Sequence, residues 1–244
     1  MSKQKREESR TERAAAIRAE QATKERNRRL ALIAGIVIVL GAIVAAGAWY
    51  SGDSPTPTDN SSVAVAAGEG SILVGDSTAP VKIVIYEDFL CPYCRQLEDS
   101  TRDFLRENAA KGKVLVEYRP INLLTEFSYS ARSMNAWAAV LKHASPQVAL
   151  KLHDLFYENQ PYEQSSDQTT DADIAKLVAK AGGDNAAVRT AMKTQDQAFF
   201  AAASQTMTAE GIDGTPTVVL NGRQLKGLNI AQMTDAIEKA IANG

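Results

Sequence analysis

The chain has 244 residues but only two cysteines and two histidines. That shortage narrows the chemistry. Structural zinc takes four ligands, usually two cysteine pairs or one pair joined by histidines. Here a single pair, Cys91 and Cys94, is accompanied only by His143 and His153, so no metal is expected. Cysteines three apart close a loop too short to restrict an unfolded chain much, which makes a poor staple. Haem attachment requires histidine directly after the second cysteine, and Arg95 stands there. Net charge is also nearly absent, at −2, but it is unevenly spread. Residues 1–29 hold ten basic and five acidic side chains and no aromatic ring. Single-strand nucleic-acid binding relies on aromatic stacking platforms, so nucleic acid is not expected as a partner. No internal repeat is present.

The next absence is of charge. Residues 30–49, LALIAGIVIVLGAIVAAGAW, contain no charged side chain and no proline. As a helix they would reach about 30 Å, the hydrocarbon thickness of a bilayer. Arg28 and Arg29 precede the run, and Trp49 and Tyr50 close it. Basic residues stay on the cytoplasmic side and aromatic rings favour the interface. The reading is a single-pass anchor at 30–50, a cytoplasmic basic segment at 1–29, and everything after Tyr50 outside the cell membrane. The rival is a cleaved signal peptide with Ala46-Gly47-Ala48 as its site, but signal cores run only about 7–15 residues. Residues 51–70 open with SGDSPTPTDNSS, which has turn formers and no apolar period, and read as a flexible linker. Ordered structure is expected from about Ser71.

From Ser71 the pattern is α/β. SILVG (71–75) and VKIVIYEDF (81–89) read as strands, the second apolar enough to be buried on both faces. After Cys91 the period becomes helical, with Leu97, Phe104 and Leu105 on one face and Gly112 just past the end. VLVEY (114–118) is the next strand, stopped by Pro120. Strand, helix and strand of these lengths form a right-handed βαβ unit. A helical stretch follows from about 127 to 210. Ser145-Pro146 and Asp171 mark helix starts, and Gly182-Gly183 a break. Trp137, Phe156 and Tyr157 are expected to fill its core. Last come two short runs around Asn221-Gly222, a hairpin signal, then a helix with Ile230, Met233, Ile237 and Ile241 on one face. The end of the chain is therefore ββα.

Cys91 thus stands where a strand ends and a helix begins, with Pro92 in the first turn. Unsatisfied N–H groups and the helix dipole both favour a thiolate there. Cys94 is three residues on, on the same face, and suits the resolving role in disulfide exchange. Exchange chemistry is the favoured reading; a structural CxxC on a tethered binding or chaperone module is the alternative.

APVKIVIYEDFLCPYC (79–94) and GIDGTPTVVLNG (211–222) together resemble the DsbA-like thioredoxin-fold thiol–disulfide oxidoreductases, especially the membrane-anchored actinobacterial type. The resemblance spans Ser71 to Gly244. It implies a thioredoxin fold, βαβ plus ββα, with a helical insertion at about 122–210. It implies Cys91 and Cys94 as the catalytic pair, joined as a disulfide in the oxidised state. A cis Thr215–Pro216 bond would face them, and Pro92, Tyr93, Thr215 and Pro216 would shape the substrate site. No cofactor is implied. The implied partners are secreted or envelope proteins with thiols or disulfides and a membrane redox partner of the DsbB or VKOR type. Introduction of disulfides is the expected direction; reductase or isomerase activity on the same fold is the alternative. Tyr93 brings no imidazolium charge to Cys91. Glu87 and Asp88 precede the motif, and strand alternation leaves open which of them faces it.

Overall fold

A computed structural model describes residues 63–244. The basic segment, the expected anchor and most of the linker lie outside the described residues. Among the described residues no helix is long and apolar enough to cross a membrane.

A six-stranded sheet carries the fold, in the order β1-β2-β4-β3-β5-β6. β3 (Val81–Glu87) and β4 (Val114–Pro120) are parallel neighbours at its centre, with Ile83 opposite Val116. The helix between them, α1 (Pro92–Ala110), completes the expected βαβ unit. Its buried face carries Cys94, Leu97, Thr101 and Leu105, spaced three or four apart, with Phe104 packed beside it. β5 (Thr217–Leu220) joins the other edge of β3 antiparallel, Ile85 opposite Val218. Its hairpin with β6 (Arg223–Gln224) turns through Asn221 and Gly222, at φ 48° and 77°. Those two positive φ values are what the Asn-Gly pair supplies. α7 (Ile230–Asn243) then buries Met233, Ile237 and Ile241 and packs on α1. The expected ββα ending is present.

The linker boundary needs correction. β1 (Val65–Ala67) lies inside the stretch read as linker and pairs antiparallel with β2 (Ile72–Val74), Val65 opposite Val74. Its side chains are half-buried or exposed, so the strand is held by its backbone ladder and leaves no apolar period to read. β3 also stops at Glu87 rather than Phe89, and β4 runs on to include Pro120 as its last residue. Proline is tolerated at that place because the ladder ends there.

The helical insertion enters between β4 and β5. It comprises α2 (Ser128–His143), α3 (Pro146–Glu158), a 3-10 turn (Glu163–Gln168), α4 (Asp171–Ala181), α5 (Ala186–Ala191) and α6 (Gln197–Glu210). Ser145 caps α3 by accepting from the Val148 N–H, as its sequence position suggested. Thr170 and Asp173 form a reciprocal capping box on α4, and Gly182 ends that helix at φ 95°. Trp137, Phe156 and Tyr157 are fully buried, and the Trp137 indole donates to the Ala149 carbonyl. Buried residues of the sheet and of the insertion form one continuous core. This continuity lets insertion side chains reach the cysteine motif.

Candidate active site

β3 delivers the chain to the motif through the short loop Asp88–Leu90. Cys91 is the N-cap of α1 and Pro92 occupies its first turn. The missing proline N–H costs nothing there. No side-chain hydrogen bond caps the helix, and the positive end of the helix dipole lies beside Cys91. It is 5 % exposed, whereas Cys94 is 1 % exposed. Both are free thiols, the reduced state of the expected disulfide pair.

The two sulfurs are driven apart electrically. The Cys91 thiol falls from an ordinary 9.0 to about 6, first through its hydrogen bond with Cys94. Burial opposes that shift, while the Thr215 side chain and the Cys94 and Tyr93 N–H groups support it. Cys94 moves the opposite way, well above 9.0, chiefly by burial and then by the neighbouring Cys91 and Glu87 charges. Titration of thiolate absorbance in the reduced protein should therefore show one step centred near pH 6 and none near 9. At pH 7 roughly nine-tenths of Cys91 would be ionised. A single step at the free-thiol value would contradict the assignment of Cys91 as the nucleophile.

Thr215 and Pro216 do face the pair. The Thr215–Pro216 peptide is cis. The Cys91 thiol lies 3.3 Å from the Thr215 carbonyl and donates to it. Pro216 is buried and Thr215 half-buried. A groove of about 500 Å³ opens beside them, lined by Tyr93, Gly214, Thr215, Pro216, Leu228 and Met233 among others. Tyr93 projects from the motif and is 62 % exposed. All six residues expected at the site are thus brought together.

The two acids before the motif both turn inward. Asp88 is fully buried and is a structural clamp. Its carboxylate accepts from the N–H groups of Leu90, Leu123 and Leu124 and from the Ser130 hydroxyl, at 2.9, 2.9, 3.1 and 2.5 Å. It therefore ties the motif loop to the entry of the insertion. Glu87 meets His153 of α3, whose Nε2 is 2.7 Å from its Oε1. The other ring nitrogen of His153 lies 3.2 Å from Asp154 Oδ1, and Arg106 grips Asp154 with both terminal nitrogens. Arg102 bridges Glu98, Asp154 and the exposed Glu158. Burial alone would pull the His153 proton off, but the charges of Glu87 and Glu98 and bonds to Asp154 and Glu87 lift it to about 10. The imidazole is held as a cation.

Glu98, His153 and Gln160 did not stand out in the sequence. Glu98 follows Cys94 by four residues, so a charge on the buried face of α1 was a usable signal. His153 is flanked on α3 by Leu152 and Phe156 on an apolar face, an equally usable one. Gln160 leaves no pattern; it acts from beyond the end of α3. Its amide donates to the Phe89 and Cys91 carbonyls, both at 3.0 Å.

Glu87, Glu98 and His153 place one ligand atom each within 4.8 Å of one another, the makings of a cation site. Arg102 already pairs with Glu98, and a protonated His153 with Glu87. The donor set fits a buried ion-pair network better than a metal centre.

Similarity to known proteins agrees with this construction. Among curated proteins, the serine/threonine-protein kinase PknE of Mycobacterium tuberculosis is 27 % identical over 157 residues, covering 60 % of this chain and 28 % of its own length. The Na(+)/H(+) antiporter NhaA 3 of Salinispora tropica is 29 % identical over 174 residues, covering 69 % and 24 %. The chain therefore spans about a quarter of the length of these curated relatives. Among solved structures, MdbA of Corynebacterium diphtheriae, a thiol-disulfide oxidoreductase, superposes with TM-score 0.61 at 20 % identity, over 73 % of this chain and 93 % of that one. Oxidised BdbD of Bacillus subtilis gives 0.59 at 22 %, over 74 % and 97 %. Reduced DsbA of M. tuberculosis gives 0.57 at 22 %, over 71 % and 96 %. The family described as thioredoxin matches residues 67–239, from β1 through most of α7. With that match spanning both cysteines, the cis-proline strand and the helices between them, the chain belongs to the thioredoxin family.

Proposed function

We propose that this chain is a membrane-anchored thiol–disulfide oxidoreductase that introduces disulfides into secreted proteins through Cys91 and Cys94. One observation carries the reading: the nucleophile position holds a stabilised thiolate while its partner sulfur is buried and kept protonated. In the oxidised enzyme a client thiolate attacks Cys91 Sγ, and the Cys91–Cys94 bond breaks. Its electron pair goes to Cys94, which takes a proton. A second client thiolate then attacks the client sulfur of the mixed disulfide, and Cys91 leaves as a thiolate. Two electrons have passed from the client to the cysteine pair.

Leaving-group strength supports the oxidative direction. A low-pKa thiol leaves fastest, so departure of Cys91 from the mixed disulfide as the two client sulfurs join is favoured. Cys94, protonated, is slow to attack the mixed disulfide and reverse the transfer. The run 30–50 supports an anchor with the redox domain outside the membrane, and a quinone-linked partner of the DsbB or VKOR type would withdraw the electrons.

Oxidised protein mixed with a reduced, unfolded client should form client disulfides in proportion to enzyme, and Cys91→Ala should abolish this. Cys94→Ser in cells should accumulate mixed disulfides with secreted clients on Cys91. Unchanged client oxidation by Cys91→Ala would end the proposal.

A further inference from the structure

Gln160 belongs to the helical insertion, yet its side chain acts on the motif loop. Its amide donates to the Phe89 and Cys91 carbonyls, both at 3.0 Å. Among the described residues the Phe89 carbonyl accepts from no other group. The Cys91 carbonyl also accepts from the Cys94 and Arg95 N–H groups, at 3.1 and 3.2 Å, the first bonds of α1. The N–H groups of Leu90 and Cys91 go to the Asp88 carboxylate and carbonyl, at 2.9 and 3.0 Å. Asp88 therefore takes donors of this loop and Gln160 takes its acceptors.

Gln160 is itself held in place. It lies two residues past the end of α3, and its N–H donates to the Tyr157 carbonyl at 3.3 Å. Pro161 follows, and a proline restricts the backbone of the residue before it. The side chain is half-buried. A primary amide has two N–H groups, one for each carbonyl. It neither ionises nor attacks, so its effect on the reaction comes through placement and through its dipole.

That effect has a definite direction. A carbonyl oxygen carries partial negative charge, and these two sit on Cys91 and two residues before it. The Cys91 sulfur takes up negative charge when the pair is reduced and has none in the disulfide. Donors set on the carbonyls offset their field and so favour the reduced, ionised state. The same bonds fix the backbone from which the sulfur reaches the Thr215 carbonyl at 3.3 Å.

We propose that Gln160 is a positioning residue for disulfide exchange, which by bonding the Phe89 and Cys91 carbonyls holds the Cys91 sulfur against Thr215 and stabilises negative charge on it. This rests on the exchange reading above and adds to it that the helical insertion sets how strongly the cysteine pair oxidises.

The test uses the full chain and two variants. Gln160→Met keeps the length of the side chain and has no donor; Gln160→Glu puts a carboxylate against the two carbonyls. In the reduced proteins the thiolate titration should move up by about one pH unit in Gln160→Met, the scale of a hydrogen bond at a half-buried site, and further in Gln160→Glu. Cys94 ionises above 9.0 and stays outside this window. Equilibration with glutathione at pH 7 gives the second readout. There the Cys91–Cys94 disulfide takes two electrons from two glutathione thiols, giving the dithiol and glutathione disulfide. From a wild-type value of about 6, a shift of that size lowers the equilibrium constant about fivefold. Titration midpoints and equilibrium constants equal to the wild type in both variants would overturn the proposal. So would a fall in the urea midpoint of the oxidised protein without any change in the thiolate, which would mark a purely structural role. If the wild-type pair does not exchange with glutathione, the exchange reading and this role fail together. If it does, and the variants match it, only the role of Gln160 fails.

Discussion

His153→Ala should lower folding stability by about 3–5 kcal/mol, the scale for removing one partner from a buried ion pair. The imidazole is fully buried, and its two nitrogens face Glu87 and Asp154. Without it Glu87 is left 1 % exposed and without its countercharge. Asp154 keeps Arg106, so Glu87 carries most of the loss. Glu87 Oε2 is already without a hydrogen-bond partner in the wild-type fold, so loss of the imidazole leaves neither of its oxygens paired. A double variant, Glu87→Gln with His153→Leu, should recover part of the loss, because removing both charges also removes the desolvation cost. Urea unfolding of the wild type, Glu87→Gln, His153→Leu and the double variant gives the coupling. A loss below about 1 kcal/mol for the single variant would show that the pair is not a charged one.

The pH dependence of the same pair has a definite sign. His153 is raised from 6.5 to about 10 in the fold. Its contribution is fully present below pH 6.5 and fades as the pH climbs through 10. Between those limits the slope is about 1.4 kcal/mol per pH unit. His153→Ala should flatten the alkaline side of the wild-type stability curve while lowering its plateau.

How much of this could be read in the sequence depends on which residues signal through periodicity. The βαβ unit, the Asn-Gly hairpin and the last helix repeat apolar residues at intervals of two or near 3.6, so Ile83, Leu97 and Ile237 declare their faces. Cys91 and Cys94 declare themselves by rarity and spacing. Pro216 opposite Cys91 came only with the family resemblance, since 124 residues separate Thr215 from Cys91 and no local pattern spans that distance. Glu87 and Asp88 stayed ambiguous for a physical reason. β3 ends at Glu87 and the chain turns, so alternation no longer applies and both acids go inward. Their partners, His153 on α3 and Ser130 on α2, are fixed by how the insertion packs. β1 was missed because an exposed edge strand of three residues carries its order in backbone hydrogen bonds.

The stability of the reduced protein relative to the oxidised one should rise by about 4 kcal/mol as pH goes from 6 to 9. The Cys91 thiol has a folded value of about 6 against an ordinary 9.0. A group depressed on folding stabilises the fold above its unfolded value and loses that contribution as pH falls through the folded one. Here the gain begins near pH 6 and is complete near 9. It exists only in the dithiol state, since a disulfide has no proton to lose. His153 and its acids are present in both states and cancel in the difference, and Cys94, raised above 9.0, titrates outside the window. Urea unfolding of both forms at pH 5.5, 7 and 8.5 should show the reduced form gaining on the oxidised one as pH rises. Parallel curves would mean that Cys91 ionises alike in folded and unfolded chains. Because ionisation of Cys91 favours the reduced fold, electrons drawn from a client are stabilised on Cys91. An oxidase needs that bias and a reductase works against it, so the same measurement bears on the direction of exchange.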